Sequence, residues 1–299
     1  MSIAVVIPAY NAARFIRQTL ESVLSQSLPP DEVLVIDDGS TDDTARVAEE
    51  FGPAVRVIRR PNSMQSATRN FGVMQANTEW VAFVDADDLW EPNKLELQMR
   101  QLHRRPEADL CYCGLVEFYA VNGTVQIGRV AVAPSEEDVR QALHRNTSFL
   151  PSSVIVRRST FLRCGGFNEA MNYVEDWELW LRMLHSGVQF TGCPEPLLRY
   201  RIHNGSMSHN AKSCLAAQKE VFRRHVFPYL PKGTRWISLM KSQSGQEQVA
   251  ALVLRRAGQP GYLRMVITSI IRFPFNKPMR YKVLAHMFYT EAKRIIKLR

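Results

Sequence analysis

Apolar and polar positions alternate in blocks along the first hundred residues of the chain. Four short apolar runs, at residues 3–7, 33–36, 55–58 and 80–84, are each followed by a segment with helical spacing of its apolar residues. Repeated strand–helix units predict a parallel sheet that is covered by helices on both faces. We therefore expect an α/β fold with a mainly parallel sheet flanked by helices.

The pattern becomes less regular after residue 108. Residues 109–133 predict two strands around a turn at Asn122 and Gly123, and residues 135–143 predict a short helix that begins at Ser135, with Asp138 in the capping-box position. Further on, the pattern predicts strands at residues 153–156 and 197–202 and a helix at residues 175–186. After about residue 210 helical patterns with basic faces take over, so we expect two domains, residues 1–210 and residues 211–299.

The charge changes at the same place as the pattern. The whole chain of 299 residues has a net charge of +9, but residues 211–299 carry 18 Lys and Arg against three Glu, a net +15, and the first 210 residues carry −6. Such a split indicates two tasks within one chain.

The basic region ends in an amphipathic segment, residues 280–299, with apolar side chains on one side and basic side chains on the other. Together with the apolar residues at 262–275, it predicts contact with an anionic membrane surface. The alternative is that the apolar side packs on the first domain and the basic side is solvated. No base-reading or base-stacking module supports nucleic acid as a partner.

Neither a signal peptide nor a membrane-spanning helix is expected. The N-terminal apolar run is short and lacks a basic flank, and no stretch approaches 18 apolar residues. The five cysteines contain no C-x-x-C pair, which favours reduced thiols over a disulfide framework or a zinc site. We expect a cytoplasmic protein that attaches peripherally to the inner face of the cell membrane.

Three acids follow the fourth apolar run: Asp85, Asp87 and Asp88. Carboxylates at the end of a core strand are costly unless a cation or hydrogen bonds compensate them. Ions of the Mg²⁺ type favour one or two carboxylates together with phosphate oxygens. The alternative is an acidic turn that caps the next helix.

A second acidic strand end, at Asp37 and Asp38, follows the second apolar run. In an open parallel sheet the carboxyl ends of the strands lie at one edge, where ligands bind. Two acidic ends at one edge favour a ligand site over chance.

Six motifs, in this order along the chain, resemble glycosyltransferase family 2, the inverting nucleotide-sugar transferases with the GT-A fold. The resemblance extends over roughly residues 3–208, and the basic region after residue 210 lies outside it. The motifs are Ile7-Pro8-Ala9-Tyr10-Asn11, Asp37-Asp38-Gly39-Ser40-Thr41-Asp42, Ala67-Thr68-Arg69-Asn70, Val84-Asp85-Ala86-Asp87-Asp88, Glu175-Asp176-Trp177-Glu178 and Tyr200-Arg201-Ile202-His203.

The resemblance implies a nucleoside site at the first two motifs. Asp38 would accept the N3–H of a uracil ring, and Pro8, Ala9 and Tyr10 would form the wall against the nucleoside. A turn at Asp38 and Gly39 followed by a helix cap is also possible, and both interpretations can hold together.

The resemblance also implies a Mn²⁺ or Mg²⁺ ion that offsets charge on a departing diphosphate. Asp87 would be its main ligand, Asp85 would lie nearer the ribose and Asp88 would support the loop. His203 matches a histidine that approaches the metal or the diphosphate, although a lone histidine in a loop usually has no metal.

Arg69 would lie over the diphosphate according to the same resemblance; otherwise it is a solvated surface arginine. The family usually has glycines ahead of this arginine, and the segment of residues 62–66 has none. The geometry of the donor loop therefore stays open.

Asp176 matches the base that takes a proton from the acceptor hydroxyl while the anomeric carbon is inverted. A carboxylate in the first turn of a helix is also ordinary complementation of the helix dipole. Trp177 and Trp180 either line the acceptor pocket or belong to the core.

The resulting hypothesis is a metal-dependent inverting glycosyltransferase. It would move a sugar from a nucleoside diphosphate, with UDP favoured, to a hydroxyl of a glycan or lipid-linked acceptor in cell-surface polysaccharide or glycolipid assembly. The alternatives are a sugar nucleotidyltransferase, which would show a Gly-rich basic loop near the N-terminus, and an inactive membrane-associated scaffold that binds nucleotide sugars.

Overall fold

The computed structural model describes residues 1–121, 124–145, 149–203, 211–256 and 260–275. Contacts between residues divide the chain into two compact units, Met1–His203 and Asn204–Arg299. The turn predicted at Asn122 and Gly123 and the helix predicted over residues 280–299 lie outside the described residues.

The first unit is built on one mixed sheet flanked by helices, which confirms the predicted α/β fold. Among the described residues its strands are β1 (Ile3–Ala9), β2 (Glu32–Asp37), β3 (Arg56–Arg59), β4 (Trp80–Phe83), β5 (Leu89–Trp90), β6 (Leu110–Val121), β7 (Thr124–Ala131), β8 (Val154–Arg157) and β9 (Phe190–Arg201). Its helices are α1 (Ile16–Leu24), α2 (Thr44–Glu49), α3 (Met64–Gln75), α4 (Lys94–Arg104), α5 (Glu136–Leu143), α6 (Arg158–Arg163) and α7 (Glu175–His185).

The strands follow the order β3-β2-β1-β4-β8-β6-β9-β5, and β7 pairs with β6. The first four are parallel, with Ala9 of β1 paired to Asp37 of β2 and Val6 of β1 paired to Phe83 of β4. Because β2 and β4 flank β1 in the same direction, their carboxyl ends lie at one edge of the sheet. Asp38 follows β2 directly, and Asp85 comes two residues after the end of β4.

Strand β1 is buried along its whole length and receives a helix on each face. Val5 and Ile7 belong to the same core cluster as Ile16 of α1. On the other face Val6 meets Gly72 of α3, where an added Cβ would lie 2.4 Å from Val6 Cγ1. Glycine at position 72 therefore lets α3 lie directly on the sheet.

Two strands differ from the prediction. Strand β9 begins at Phe190 rather than at residue 197, and β5, a two-residue strand paired with β9, was not predicted. Pro194 and Pro196 suppress the strand signal because proline cannot donate to the ladder, and the register between β6 and β9 shifts near Gly114 to accommodate them. A strand of two residues is too short to show alternation.

The second unit is helical where the structure describes it, as the sequence predicts. Its helices are α8 (Ala211–Val221), α9 (Arg235–Arg256) and α10 (Tyr262–Arg272). Buried Ser244 of α9 and Ser269 of α10 each donate from the hydroxyl to the other's carbonyl oxygen, at 2.8 and 2.7 Å. Buried Glu247 pairs with Lys219 and Arg272, each at 2.9 Å. These contacts join the three helices.

None of the helices in the described part of the chain combines the length and the apolarity that crossing a membrane requires.

Candidate functional site

Asp38 lies at the end of β2 and is almost completely buried. Its backbone N–H donates to the carbonyl oxygen of Ala9, at 2.8 Å, which ties it to the end of β1. Its carboxylate Oδ1 accepts hydrogen bonds from the backbone N–H and the hydroxyl of Ser63, both at 2.9 Å. Two neutral donors therefore fix the orientation of an ionisable group at the strand edge.

The residues predicted as a nucleoside wall continue from β1. Pro8 and Ala9 end the strand, and Tyr10 is 53% exposed beyond it. The next residue, Asn11, receives a hydrogen bond at Oδ1 from the backbone N–H of Thr41, at 2.9 Å. The segment after β1 is thus held against the loop after β2, with the aromatic ring of Tyr10 accessible.

Arg69 is buried, with only 1% of its surface exposed, and is held by two acids. Its Nη2 donates to Asp85 Oδ1 at 2.6 Å, and its Nη1 donates to Glu175 Oε1 at 2.9 Å. The guanidinium also lies 5.3 Å from the centre of the Phe167 ring. Arg69 is therefore not a solvated surface arginine, and its predicted contact with a diphosphate stays a prediction.

Asp87 and His203 form a carboxylate–imidazole pair at the same edge of the sheet. Asp87 Oδ2 and His203 Nε2 lie 2.7 Å apart, and both side chains are partly exposed. The His203 ring also packs against Phe15, with ring centres 4.8 Å apart. The structure thus brings together two residues that the sequence placed in one metal site.

Asp88 is completely buried and faces away from solvent. Its Oδ1 accepts the backbone N–H of Arg201 at 3.0 Å, and the Arg201 guanidinium Nε donates to the carbonyl oxygen of Asp87 at 2.7 Å. Asp88 therefore fastens the end of β9, which leads to His203, to the loop after β4. The alternative of a helix cap is not supported, because α4 begins at Lys94 after Asn93.

The acids after β4 resist being ionised together. Burial raises the pKa of Asp87, and the nearby Asp85 carboxylate raises it further, against the effect of the His203 hydrogen bond. Burial, followed by the charges of Asp87 and Asp85, raises the pKa of Asp88 well above its ordinary value. A bound cation would relieve this repulsion.

Asp176 lies in the first turn of α7 and is 7% exposed. Its Oδ1 accepts the backbone N–H of Trp177 at 2.7 Å. Trp177 and Trp180 are buried, and Trp177 Nε1 donates to the carbonyl oxygen of Leu143 at 2.7 Å. The two tryptophans therefore belong to the core, while Asp176 follows directly after Glu175, the partner of Arg69.

Backbone strain is concentrated around these groups. Among the described residues other than glycine, left-handed φ angles occur at Asn11 (49°), Met64 (72°) and Val174 (53°). Met64 begins α3 beside the serine that binds Asp38, and Val174 precedes α7. Each such residue costs about 1–3 kcal/mol, and strain of this kind clusters at active sites and ligand clamps.

A divalent cation fits the donor set at Asp87 and His203, although no group of three or more His, Cys, Asp or Glu side chains suited to a metal occurs in the described ranges. Mg²⁺-type ions are commonly held by one or two protein ligands and completed by substrate phosphates and water. The imidazole favours a transition ion such as Mn²⁺. The raised pKa of Asp87 is consistent with a position where positive charge is needed.

Sequence reasoning did not identify four groups that fix these side chains. Ser63 and Ser152 are small polar residues with no distinctive pattern; Ser152 Oγ accepts the backbone N–H of Asp85 at 3.0 Å. Glu175 and Arg201 lie inside recognised motifs, but their partners are far away in the chain. The sequence contained no other signal for Glu175 and Arg201 than their places in these motifs.

The family described as Glycosyl transferase family 2 matches residues 4–167. The glycosyltransferase TuaG of Bacillus subtilis is 31% identical over 231 residues, which cover 75% of this chain and 89% of that protein. An Escherichia coli enzyme, UDP-Glc:alpha-D-GlcNAc-diphosphoundecaprenol beta-1,3-glucosyltransferase WfaP, is 28% identical over 74% of this chain and 85% of its own length.

Some relatives are longer than the matched region, which is 66% of a Rickettsia typhi glycosyltransferase and 31% of one from Rickettsia felis. Among solved structures, the mannosyltransferase PcManGT from Pyrobaculum calidifontis, in complex with GDP-Man and Mn²⁺, superposes with a TM-score of 0.62. The superposition covers 99% of this chain and 86% of that chain at 18% identity, so it establishes a common fold.

Proposed function

The chain belongs to glycosyltransferase family 2, the nucleotide-sugar transferases of GT-A fold, and we propose that it is a metal-dependent, inverting hexosyltransferase. It would take the sugar from a UDP-sugar and transfer it to a hydroxyl of a glycan or lipid-linked acceptor in cell-surface polysaccharide or glycolipid assembly. The names of two relatives support this substrate class. The name of WfaP specifies UDP-Glc and a diphosphoundecaprenol acceptor, and the name of TuaG refers to teichuronic acid biosynthesis.

The observation that carries the proposal is the Asp87–His203 pair at the edge that also bears Asp38. The carboxylate and the imidazole lie 2.7 Å apart at the end of β4, and the Asp38 carboxylate is fixed at the end of β2. Since β1 alone separates these two strands in the sheet, a nucleoside at one end and its diphosphate at the other would lie along one edge.

Asp38 would select the base. Its Oδ1 is occupied by the two Ser63 donors, so Oδ2 would be the oxygen that accepts an N–H group such as N3–H of uracil. The exposed ring of Tyr10 and the end of β1 at Pro8 and Ala9 would pack against the nucleoside.

Asp87 and His203 would hold Mn²⁺ or Mg²⁺, which supplies positive charge for the leaving diphosphate when it is bound. Asp88 holds the chain segment that carries His203 in place through the backbone of Arg201. Asp85 is oriented by Arg69, toward the ribose in this proposal.

Asp176 would take the proton from the acceptor hydroxyl as that oxygen attacks the anomeric carbon. Attack from the face opposite the diphosphate would invert the anomeric configuration. Asp176 lies in the first turn of α7, where the helix dipole complements a negatively charged side chain.

The test is a panel of UDP- and GDP-hexoses incubated with the purified chain, with Mn²⁺ or with EDTA. We expect release of nucleoside diphosphate from at least one UDP-hexose, stimulated by Mn²⁺ and lost with EDTA. Absence of release and of thermal stabilisation for every nucleotide sugar would contradict the proposal.

We also propose that the basic second region attaches the enzyme to the inner face of the membrane. The described part of this region exposes large apolar side chains amid basic ones; Trp236 is 69% and Phe275 is 89% exposed. Aromatic side chains flanked by Lys and Arg are typical of membrane–water interfaces.

Sedimentation with vesicles tests this attachment. The full chain should sediment with anionic vesicles at low salt, much less with neutral ones, and should be released by high salt, because the attraction is screened. Removal of residues 280–299 should weaken binding while sugar-nucleotide hydrolysis persists. If the full chain does not sediment with anionic vesicles at low salt, the proposed membrane attachment is wrong.

A further inference from the structure

Arg69 joins three parts of the first unit that are distant in sequence. The side chain comes from α3, its Nη2 binds Asp85 after β4, and its Nη1 binds Glu175 at the start of α7, at 2.6 and 2.9 Å. The residue after Glu175 is the proposed base, Asp176. One guanidinium therefore connects the metal and donor end of the site with the helix that carries the base.

The connection orients groups more than it stabilises the fold. Arg69 and Glu175 are buried, so their charges lose most of their hydration. Replacing such buried ion networks by apolar residues is often neutral or stabilising in other proteins. What the network supplies is orientation, because a planar guanidinium that donates from Nη1 to Glu175 and from Nη2 to Asp85 fixes these two carboxylates relative to each other.

The start of α7 shows independently that this position is constrained. Val174, the residue before Glu175, has a left-handed φ of 53°, which is unusual for a β-branched residue. Valine has no polar side-chain atom and therefore cannot cap the helix. Such a conformation persists where the surrounding structure imposes it, and contacts on this first turn include the bond that Glu175 accepts from Arg69 and the bond that Trp177 Nε1 donates to the carbonyl oxygen of Leu143.

We propose that Glu175 is a positioning residue that acts through Arg69, holding Asp85 and the first turn of α7 in the geometry that donor binding requires. This inference rests on the proposed function and assigns a role that the resemblance gave to neither Glu175 nor its contact with Arg69. Outer partners of this kind, when removed from metal sites, typically cost about 10–100-fold in metal affinity or activity.

The chain offers a matched control in the same helix. Glu178 is also buried and also pairs with an arginine, since Arg182 Nη2 lies 2.7 Å from its carboxylate. Arg182 Nη2 also donates to the carbonyl oxygen of Gly166, so this pair is linked to Gly166 rather than to Asp85. Glu175→Gln and Glu178→Gln thus remove the same charge from neighbouring turns. Thermal melting of both variants measures the loss of stability common to them.

The decisive measurement is calorimetric binding of UDP in the presence of Mn²⁺, with turnover measured in parallel. We expect Glu175→Gln to weaken UDP binding by about tenfold and to lower kcat, while Glu178→Gln stays within about twofold of the wild type. In an Arg69→Met background, Glu175→Gln should cause no further loss of UDP affinity, because its partner is gone.

Three results overturn the inference. Equal UDP affinities for the Glu175 and Glu178 variants would show that Glu175 has only a structural role. A further loss of affinity in the Arg69→Met background would show that Glu175 does not act through Arg69. If the wild type fails to bind UDP with Mn²⁺, the proposed function itself falls, and the inference falls with it.

Discussion

The two ends of the strand edge are assembled in different ways. At the nucleoside end, the contacts of Asp38 with Ser63 and of Asn11 with Ser40 join residues 25 and 29 positions apart. At the catalytic end, the contact of Arg69 with Glu175 spans 106 positions and that of Asp87 with His203 spans 116. The first end belongs to adjacent strand–helix units, whereas the second requires the whole first unit to be folded.

The ends also differ in their electrostatics. At the nucleoside end, the Asp38 carboxylate is oriented by neutral donors from Ser63. At the catalytic end, three acids crowd one loop, and the pKa values of Asp87 and Asp88 are raised by burial and by mutual repulsion. Arginines also lie beside the acids of the nucleoside end, with Arg59 Nε 3.2 Å from Asp37 and Arg60 Nε 4.0 Å from Asp38, whereas Asp87 and Asp88 repel each other, so the need for a cation is greater at the catalytic end.

Asp87→Ala should have the largest effect on the catalytic end. It removes the carboxylate that pairs with His203, so Mn²⁺-dependent binding of UDP should be abolished. Calorimetry with Mn²⁺ and with EDTA measures this. Asp43→Ala, which removes an exposed acid paired with Arg46, serves as the control and should bind as the wild type does. Unchanged binding by Asp87→Ala would refute the role given to Asp87.

Asp176→Asn should separate chemistry from binding. The amide keeps the shape but cannot take a proton, so turnover should fall by a factor on the order of 10² or more. UDP affinity should barely change, because the proposed base faces the acceptor. Steady-state kinetics and calorimetry on the same preparation measure both quantities, and near-wild-type transfer would reduce Asp176 to a residue of the helix start.

Asp38→Asn should affect the nucleoside end alone. Oδ1 of the amide still accepts from Ser63, but the new NH₂ group opposes N3–H of uracil, so UDP affinity should fall by about tenfold. The affinity for CDP should fall less, or should rise, because N3 of cytosine is a hydrogen-bond acceptor. Asp37→Asn is the matched control, since Asp37 accepts bonds from the backbone N–H of Ser40 and from Arg59 Nε instead. An unaltered preference for UDP over CDP in Asp38→Asn would contradict the assignment.

Asp88→Asn should have the smallest effect of these four substitutions, and that effect should be on thermal stability. Because the pKa of Asp88 is raised in the folded protein, this carboxyl lowers the free energy of unfolding at pH values above its ordinary pKa; the cost shrinks as the pH falls through the raised pKa and is gone only below the ordinary pKa of an aspartate. The amide removes the charge and can keep the bond from the Arg201 N–H. In EDTA at neutral pH we expect the Tm of Asp88→Asn to exceed that of the wild type, with a smaller difference at acidic pH. A lower Tm than the wild type at neutral pH would contradict this prediction.

The sequence predicted where the acids lie along the strand edge better than it predicted the contacts that hold them, for a physical reason. Strands β1, β2 and β4 are short apolar runs with acids at their ends, so the edge and the positions of Asp38 and Asp85 follow from local pattern. The burial of Arg69 between two acids does not, because its partners are set by tertiary packing. The same holds for β9, whose start is hidden by its prolines.

We propose that both ends form one donor site, and a crystal structure with UDP and Mn²⁺ is the most direct test. Anomalous scattering locates the metal without reference to the protein chain. We expect one Mn²⁺ peak within bonding distance of Asp87 and His203, with the uracil against Asp38 and its diphosphate on the metal. A metal peak away from both residues, or a uracil remote from Asp38, would contradict it.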